Sequence, residues 1–365
     1  MAIPKARGQA LAWVLGGSLA IIAVAAMTQI SAGSYGMTYR QAWAALTDPG
    51  IWRQPAALLR LLLGESFARA HKLPEAQPLA TATLIVWNVR IPRVLVGLLV
   101  GTNLAFSGSI LQAITRNELA SPYLLGVSSG AGLAVLILMV FFPAWMGFVP
   151  LAAIAGGGLA FLTVYAIAWK RGASSVRLVL AGVIVGAIAG SLHTAIFFYA
   201  RDVNTFQNAL AWTAGSLTGA DWRQVRLVAP WTLLSAILAF AGARSLDLLL
   251  LGDGPARALG MSVDRARFLL SAVAIMAAGS SVAVAGLIGF VGLIVPHVVR
   301  SLVGSSHRLL LMGCLFAGPA LLVSADTFAR LILNPTQLPV GIVTGLLGGV
   351  FFLFLMRKRL EFGRP

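Results

Sequence analysis

Ten long apolar stretches separated by short polar joints organise the chain: residues 11–31, 91–114, 123–142, 149–169, 177–199, 225–243, 267–285, 287–303, 309–328 and 339–356. Each approaches the roughly 20 apolar residues that a bilayer-spanning helix requires. Alternating segments of the kind a membrane β-barrel uses are absent. The pattern predicts an all-α integral membrane protein of about ten transmembrane helices, in one domain covering residues 1–365. Two joints are long. Residues 32–90, with Pro49, Pro55, Pro74, Pro78 and Trp52, form an external segment, and its amphipathic middle from Ile51 to Ala70 is expected along the outer membrane face. Residues 244–266 form the longest joint on the opposite side. Within it, Asp253 to Leu259 reads as a short helix ended by Gly260, a common C-terminal stop.

Composition agrees with a bilayer environment. Hydrophobic residues make up 59% of the chain and charged residues 10%, with a mean hydropathy of +0.89, whereas soluble domains carry about 25% charged residues. A net charge of +16 in a soluble protein would suggest nucleic acid. Here the basic residues sit in the joints, where they set orientation instead. With the N-terminus inside, 16 of the 27 basic residues fall on the inner side, and most of the others lie in the long external segment, which weighs little in the orientation rule. Both termini are therefore expected in the cytoplasm. Lys5 and Arg7 precede the apolar stretch Leu11 to Ile30, which is longer than the roughly 7–15-residue core of a secretory signal and reads as an uncleaved first span. Cys314 is the single cysteine, so no internal disulfide is available.

Several chemistries are missing from the chain. No lysine follows a glycine, so there is no phosphate-binding loop of the G-x-x-x-x-G-K-[ST] type. His71, His193, His297 and His307 are scattered, and no metal site or resident cofactor is expected. Ion-coupled carriers place ionisable groups in mid-membrane, and the candidates here are few. Asp326 stands four residues before Arg330, a spacing that allows a local pair. His193 lies within the fifth span as the one titratable group expected to be buried, and packing is its default role. Two small-residue ladders, Gly182, Gly186 and Gly190, then Gly341, Gly345 and Gly349, each mark one helix face where another backbone can approach. That approach serves either packing within the chain or a seam between subunits.

A series of motifs runs in order from about residue 85 to the C-terminus. It comprises Arg90-Ile91-Pro92-Arg93; Leu104-Ala105-Phe106-Ser107-Gly108 with Gln112; Arg116-Asn117-Glu118-Leu119-Ala120-Ser121-Pro122; Leu125-Gly126; and Ser129-Gly130-Ala131. Further on stand Leu180-Ala181-Gly182, Trp212 with Gly215-Ser216, Ala256 with Leu259-Gly260, Gly289-Phe290-Val291-Gly292-Leu293, Pro296-His297 with Arg300, Ala325-Asp326 with Ala329-Arg330, and Leu338-Pro339-Val340-Gly341. The ordered series resembles the permease subunits of bacterial ATP-binding cassette importers for ferric siderophores, haem and vitamin B12.

That resemblance implies a vitamin B12 importer permease-like fold and a non-catalytic transport subunit in the bacterial inner membrane. Its expected partners are a second permease, identical or related, two cytoplasmic ATPase subunits, a periplasmic or lipid-anchored substrate-binding protein, membrane lipid and a ferric-chelate cargo; nucleic acid is not among them. Vitamin B12 is the alternative cargo, and a secondary transporter the distant alternative. By resemblance, Arg90, Arg93 and Arg330 match arginines that receive acidic residues of the binding protein, with guanidinium groups expected free at the outer surface. Gly252, Ala256, Leu259 and Gly260 match the ATPase coupling loop, with Ala256 expected to tolerate a bulky replacement without harm to the fold. Asn117, Leu119, Ser174 and Ser175 match the inner gate, and the glycine ladders the subunit interface and pathway. The family usually has proline where this chain has Glu118, which alters the charge of the gate turn.

Overall fold

The computed structural model describes residues 5–33, 35–74, 79–168, 175–199, 203–333 and 336–362. Its framework is α1 (Lys5–Ser31), α2 (Ile91–Thr115), α3 (Val127–Phe141), α4 (Val149–Ala168), α5 (Ser175–Phe197), α6 (Trp222–Ala241), α7 (Val263–Ala285), α8 (Val291–Val303), α9 (His307–Leu331) and α10 (Val340–Phe362). These follow the ten apolar stretches. Seven of the described helices are long and apolar enough to cross a membrane, whereas α3, α8 and the 340–355 stretch of α10 are shorter. At about 1.5 Å per residue, α3 and α8 cover only roughly 20 Å of a core roughly 30 Å thick.

Helix α2 is the axis of the molecule. Every residue from Val100 to Thr115 is buried, and α6, α7, α8 and α9 all pack on it. The contacts use absent side chains. A Cβ on Gly101 would stand 2.6 Å from the carbonyl oxygen of Gly318 in α9, and one on Gly108 would overlap the carbonyl of Gly292 in α8. Lipid tails give no hydrophobic drive to helix pairing, so close backbone approach and polar bonds hold such a bundle. Asn103 supplies one set, donating to Thr232 of α6 at 2.9 Å and Ser280 of α7 at 3.3 Å; the Ser107 hydroxyl donates to the Ala274 carbonyl at 2.7 Å.

The two short helices begin where non-helical segments enter the bundle. Segment 116–126 ends on Gly126 (φ +74°), and 286–290 ends on Phe290 (φ +66°), both left-handed. The segments meet at α2: Gly292 lies against Gly108 and the Pro122 ring. Irregular backbone at this depth persists only inside protein or along a cavity, and Ala120, Ser121, Pro122, Leu125 and Gly126 are all buried.

The segment ahead of α2 departs from expectation. Instead of one amphipathic stretch, Pro49, Pro55 and Gly64 divide residues 49–70 into three short helices, Pro49–Trp52, Pro55–Leu63 and Glu65–Ala70. Proline opens two of them because its fixed φ suits a first helical turn. Helix Thr81–Ile85 then joins α2 through a π-helical turn, Val86–Arg90, so the apolar helix starts ten residues before the break predicted at Ile91. Trp87 on that turn donates to Ala45 at 3.1 Å and accepts, through its carbonyl, from Trp222 at 2.7 Å. These bonds fasten the segment to the start of α6.

Candidate functional site

Two polar clusters mark opposite ends of the bundle. At the end where α1 finishes, Arg90, Arg93 and Arg330 converge, as their motifs suggested. They are not free. All three are buried, Arg93 to 6% and Arg90 to 2% exposure. Arg93 grips Asp326 with two bonds of 2.8 Å, and its third nitrogen reaches Gln337 at 2.5 Å. Gln29 adds a bond to the same carboxylate at 3.0 Å. Arg90 donates to the carbonyls of Ile30, Ser31 and Tyr35, and Arg330 donates to Gln29 at 3.0 Å.

This corrects two expectations. Asp326 pairs across to α2 and not with Arg330 one turn along, because the planar fork of Arg93 meets both carboxylate oxygens at once. The guanidinium groups of Arg90 and Arg330 satisfy the last carbonyls of α1, where the helix dipole favours cations. Three guanidinium groups still face a single carboxylate, so the end stays positive. Exposed Arg40, Arg53, Arg69, Lys72 and Arg223 add to it.

At the end where α1 begins, helix Asp253–Ala258 lies outside the bundle, close to its predicted limits. Gly260 (φ +82°) stops it, and the Met261 N–H returns to the Ala256 carbonyl at 3.1 Å. Ala256 has no exposed surface and belongs to the core. The expectation that a bulky residue there would spare the fold is therefore reversed, because added volume would lever the helix away. Leu259, 63% exposed, and Leu251, 58% exposed, are the most exposed large apolar side chains of this joint.

Asp253 accepts from Arg116 at 3.1 Å and from Arg267 of α7 at 3.0 Å. Arg116 is the left-handed residue that ends α2. One residue on, the Asn117 side chain accepts the Leu119 N–H at 2.9 Å and shapes the turn. Glu118 lies 3.6 Å from His297 and 3.9 Å from Arg300, both on α8. Leu119 is exposed and available to line an opening. Ser174 lies outside the described residues, as does the side chain of Ser175 at the start of α5; α5 itself reaches the turn, where Gly182 abuts the backbone of Leu124 and Leu125.

The ladders divide by environment. Gly182 and Gly341 are close-packed within the chain, the latter against Ala214 and Leu287, which corrects their assignment to a seam. Gly190, Gly345 and Gly349 meet nothing within 4 Å, and Gly186 touches only the Ser129 hydroxyl. His193 is buried with Nε2 3.2 Å from the Ser129 carbonyl, a packing role. No group of His, Cys, Asp and Glu among the described residues can hold a metal ion.

A model of the FecCD transport family matches residues 19–358. The chain belongs to the FecCD transport family. An iron(3+)-hydroxamate import system permease of Bacillus subtilis is 38% identical over 312 residues, 83% of this chain and 89% of the relative. A hemin transport system permease of Yersinia pestis is 34% identical over 359 residues, 95% of this chain and 96% of the relative, so the likeness takes in the segment ahead of α2. Among solved structures, a metal-chelate type ABC transporter in an inward-facing conformation superimposes with a TM-score of 0.75 at 25% identity, covering 94% of this chain and 99% of the other. The chain is thus a multi-pass FecCD membrane permease.

Proposed function

We propose that this FecCD chain is the permease subunit of an ATP-driven importer that carries a ferric chelate, a siderophore or haem, across the bacterial inner membrane. The observation carrying the reading is the likeness to iron-hydroxamate and hemin permeases along nearly the whole chain. Both termini lie in the cytoplasm. ATP hydrolysis comes from two separate ATPase subunits, because the sequence offers no phosphate-binding loop. These engage the 244–266 joint through Gly252, Leu259, Gly260 and the exposed face of the short helix, with Ala256 seating it. A second permease pairs along the open glycines of α5 and α10. The turn holding Asn117 and Leu119, with Ser174 and Ser175, closes the inner mouth.

At the outer end a substrate-binding protein docks over the arginine cluster. Since Arg90, Arg93 and Arg330 already have internal partners, they act through their net positive field, and the exposed arginines make the direct contacts with acidic residues. Such attraction speeds encounter and weakens as salt screens it.

The test is uptake in cells stripped of their own chelate permeases, supplied with this chain and the ATPase and binding protein encoded beside it. Ferric hydroxamate, ferric citrate, hemin and cobalamin are offered separately. Uptake of an iron chelate is expected; uptake of cobalamin alone would transfer the chain to the vitamin, and uptake without the ATPase would overturn the reading.

A further inference from the structure

The turn between α2 and α3 is fastened on two sides by charges of opposite sign. On one side Arg116 reaches Asp253, the first residue of the short 253–258 helix. On the other Glu118 faces His297 and Arg300 of α8. His297 in turn lies edge-on to Phe351 of α10, with ring centroids 6.0 Å apart. An alternating row of charges therefore runs from the 253–258 helix, through the turn, to the short helix α8.

We propose that this row is a mechanical relay, in which Asp253 draws on Arg116 and Glu118 passes the displacement to α8, so that motion of the 253–258 helix opens or closes the inner turn. The proposal rests on reading the 244–266 joint as the site of ATPase coupling.

Three features favour a moving link over a static brace. First, the Arg116–Asp253 pair is accessible, at 44% and 36% of side-chain surface, and Glu118 keeps 46% while its partners His297 and Arg300 keep 23% and 15%. Exposed ion pairs contribute little to stability, so these contacts can break and reform at small cost. Second, Asp253 has a fixed pivot. Its other partner, Arg267, keeps only 10% side-chain exposure and hydrogen-bonds to Tyr165 of α4. The carboxylate thus turns about its bond to Arg267 as the short helix moves, and Arg116 follows it. Third, the turn that follows the pair is set by a conformationally constrained residue. Arg116 itself is held in a left-handed conformation (φ +49°) that non-glycine residues seldom adopt. A stop of that kind at the end of α2 converts a small pull on the side chain into a change of direction in the turn that follows.

Glu118 gives the far end of the relay its attachment. A proline here would hold the turn by its ring alone and offer nothing for His297 or Arg300. The carboxylate makes the link to α8 electrostatic.

Spatial succession alone does not establish a pathway; energetic coupling between its members does. The experiment uses the full assembly of permease, ATPase and binding protein in proteoliposomes, reading chelate imported per ATP hydrolysed. Arg116→Gln is the primary variant, since Asp253→Asn also leaves Arg267 buried without its carboxylate. Arg116→Gln is expected to lower the ratio about five-fold, the scale of one exposed ion pair, with ATPase subunits still co-purifying. Arg116→Gln with Asp253→Asn should be no worse than the poorer single variant, and Arg116→Lys should recover part of the loss. Glu118→Gln should lower the ratio without changing the thermal midpoint. Losses that simply multiply in the double variant, or an unchanged ratio in Arg116→Gln, overturn the relay. Leu259→Glu separates the two levels. If it leaves ATPase attachment and import intact, the coupling reading of the joint fails; if it abolishes attachment while Arg116→Gln imports normally, only the relay fails.

Discussion

Asp326 illustrates how a single residue's role is decided. The i, i+4 spacing to Arg330 offers a pair worth only a few tenths of a kcal/mol. The structure gives the carboxylate a bidentate grip from Arg93 plus the amide of Gln29. Removing one partner of a buried pair costs about 3–5 kcal/mol, because the other is left charged without compensation. Asp326→Asn should therefore lower the thermal midpoint in detergent sharply, whereas Arg93→Met with Asp326→Leu should recover most of the loss. A small change in the single variant would mean that Arg93 has another anion. The residues of this cluster were legible in the sequence through their motifs. Their partners were not, because Arg93 and Asp326 are 233 positions apart and no local spacing encodes that meeting.

At the scale of elements, the two glycine ladders look alike in sequence and differ in the fold. Gly341 is pressed against the carbonyls of Ala214 and Leu287, while Gly345, one turn on, faces open space. Gly341→Leu should thus prevent α10 from seating and reduce the yield of folded monomer. Gly345→Leu should leave the monomer intact and weaken pairing, read as dimer content in detergent and crosslinking in membranes. If both variants pair normally, the open glycines face lipid. Spacing by four residues reports that a face is smooth and not what lies against it, so the sequence could not separate the two. The same limit applies to Ala256: its motif suggested a contact point, whereas its complete burial makes it the seat of the short helix. The π-helical turn at Val86–Arg90 had no signal in the hydrophobic pattern, since its residues read as the polar border of a span.

For the whole molecule, the order and position of the ten helices were readable because each apolar stretch is long relative to its joints. What the pattern hid was depth. Helices α3 and α8 start inside the bundle, at Gly126 and Phe290, and only the packing of Gly108 on Gly292 reveals it. Charge was also readable in sum and not in place. The positive end where α1 finishes divides into buried guanidinium groups and an exposed set. Replacing Arg40, Arg53 and Arg69 together by Gln should leave the fold unchanged, slow association of the binding protein and flatten its salt dependence. Unchanged association at low salt would place docking elsewhere.

We propose that this FecCD permease transports only when a separate ATPase drives it. The most direct measurement places the purified chain in proteoliposomes, alone and then with its ATPase and binding protein, and follows radio-iron chelate uptake together with ATP hydrolysis. Neither hydrolysis nor uptake is expected of the chain alone, and uptake should require ATP and both partners. Uptake by the chain alone under a proton or sodium gradient, or ATP turnover without the ATPase, would contradict the proposal.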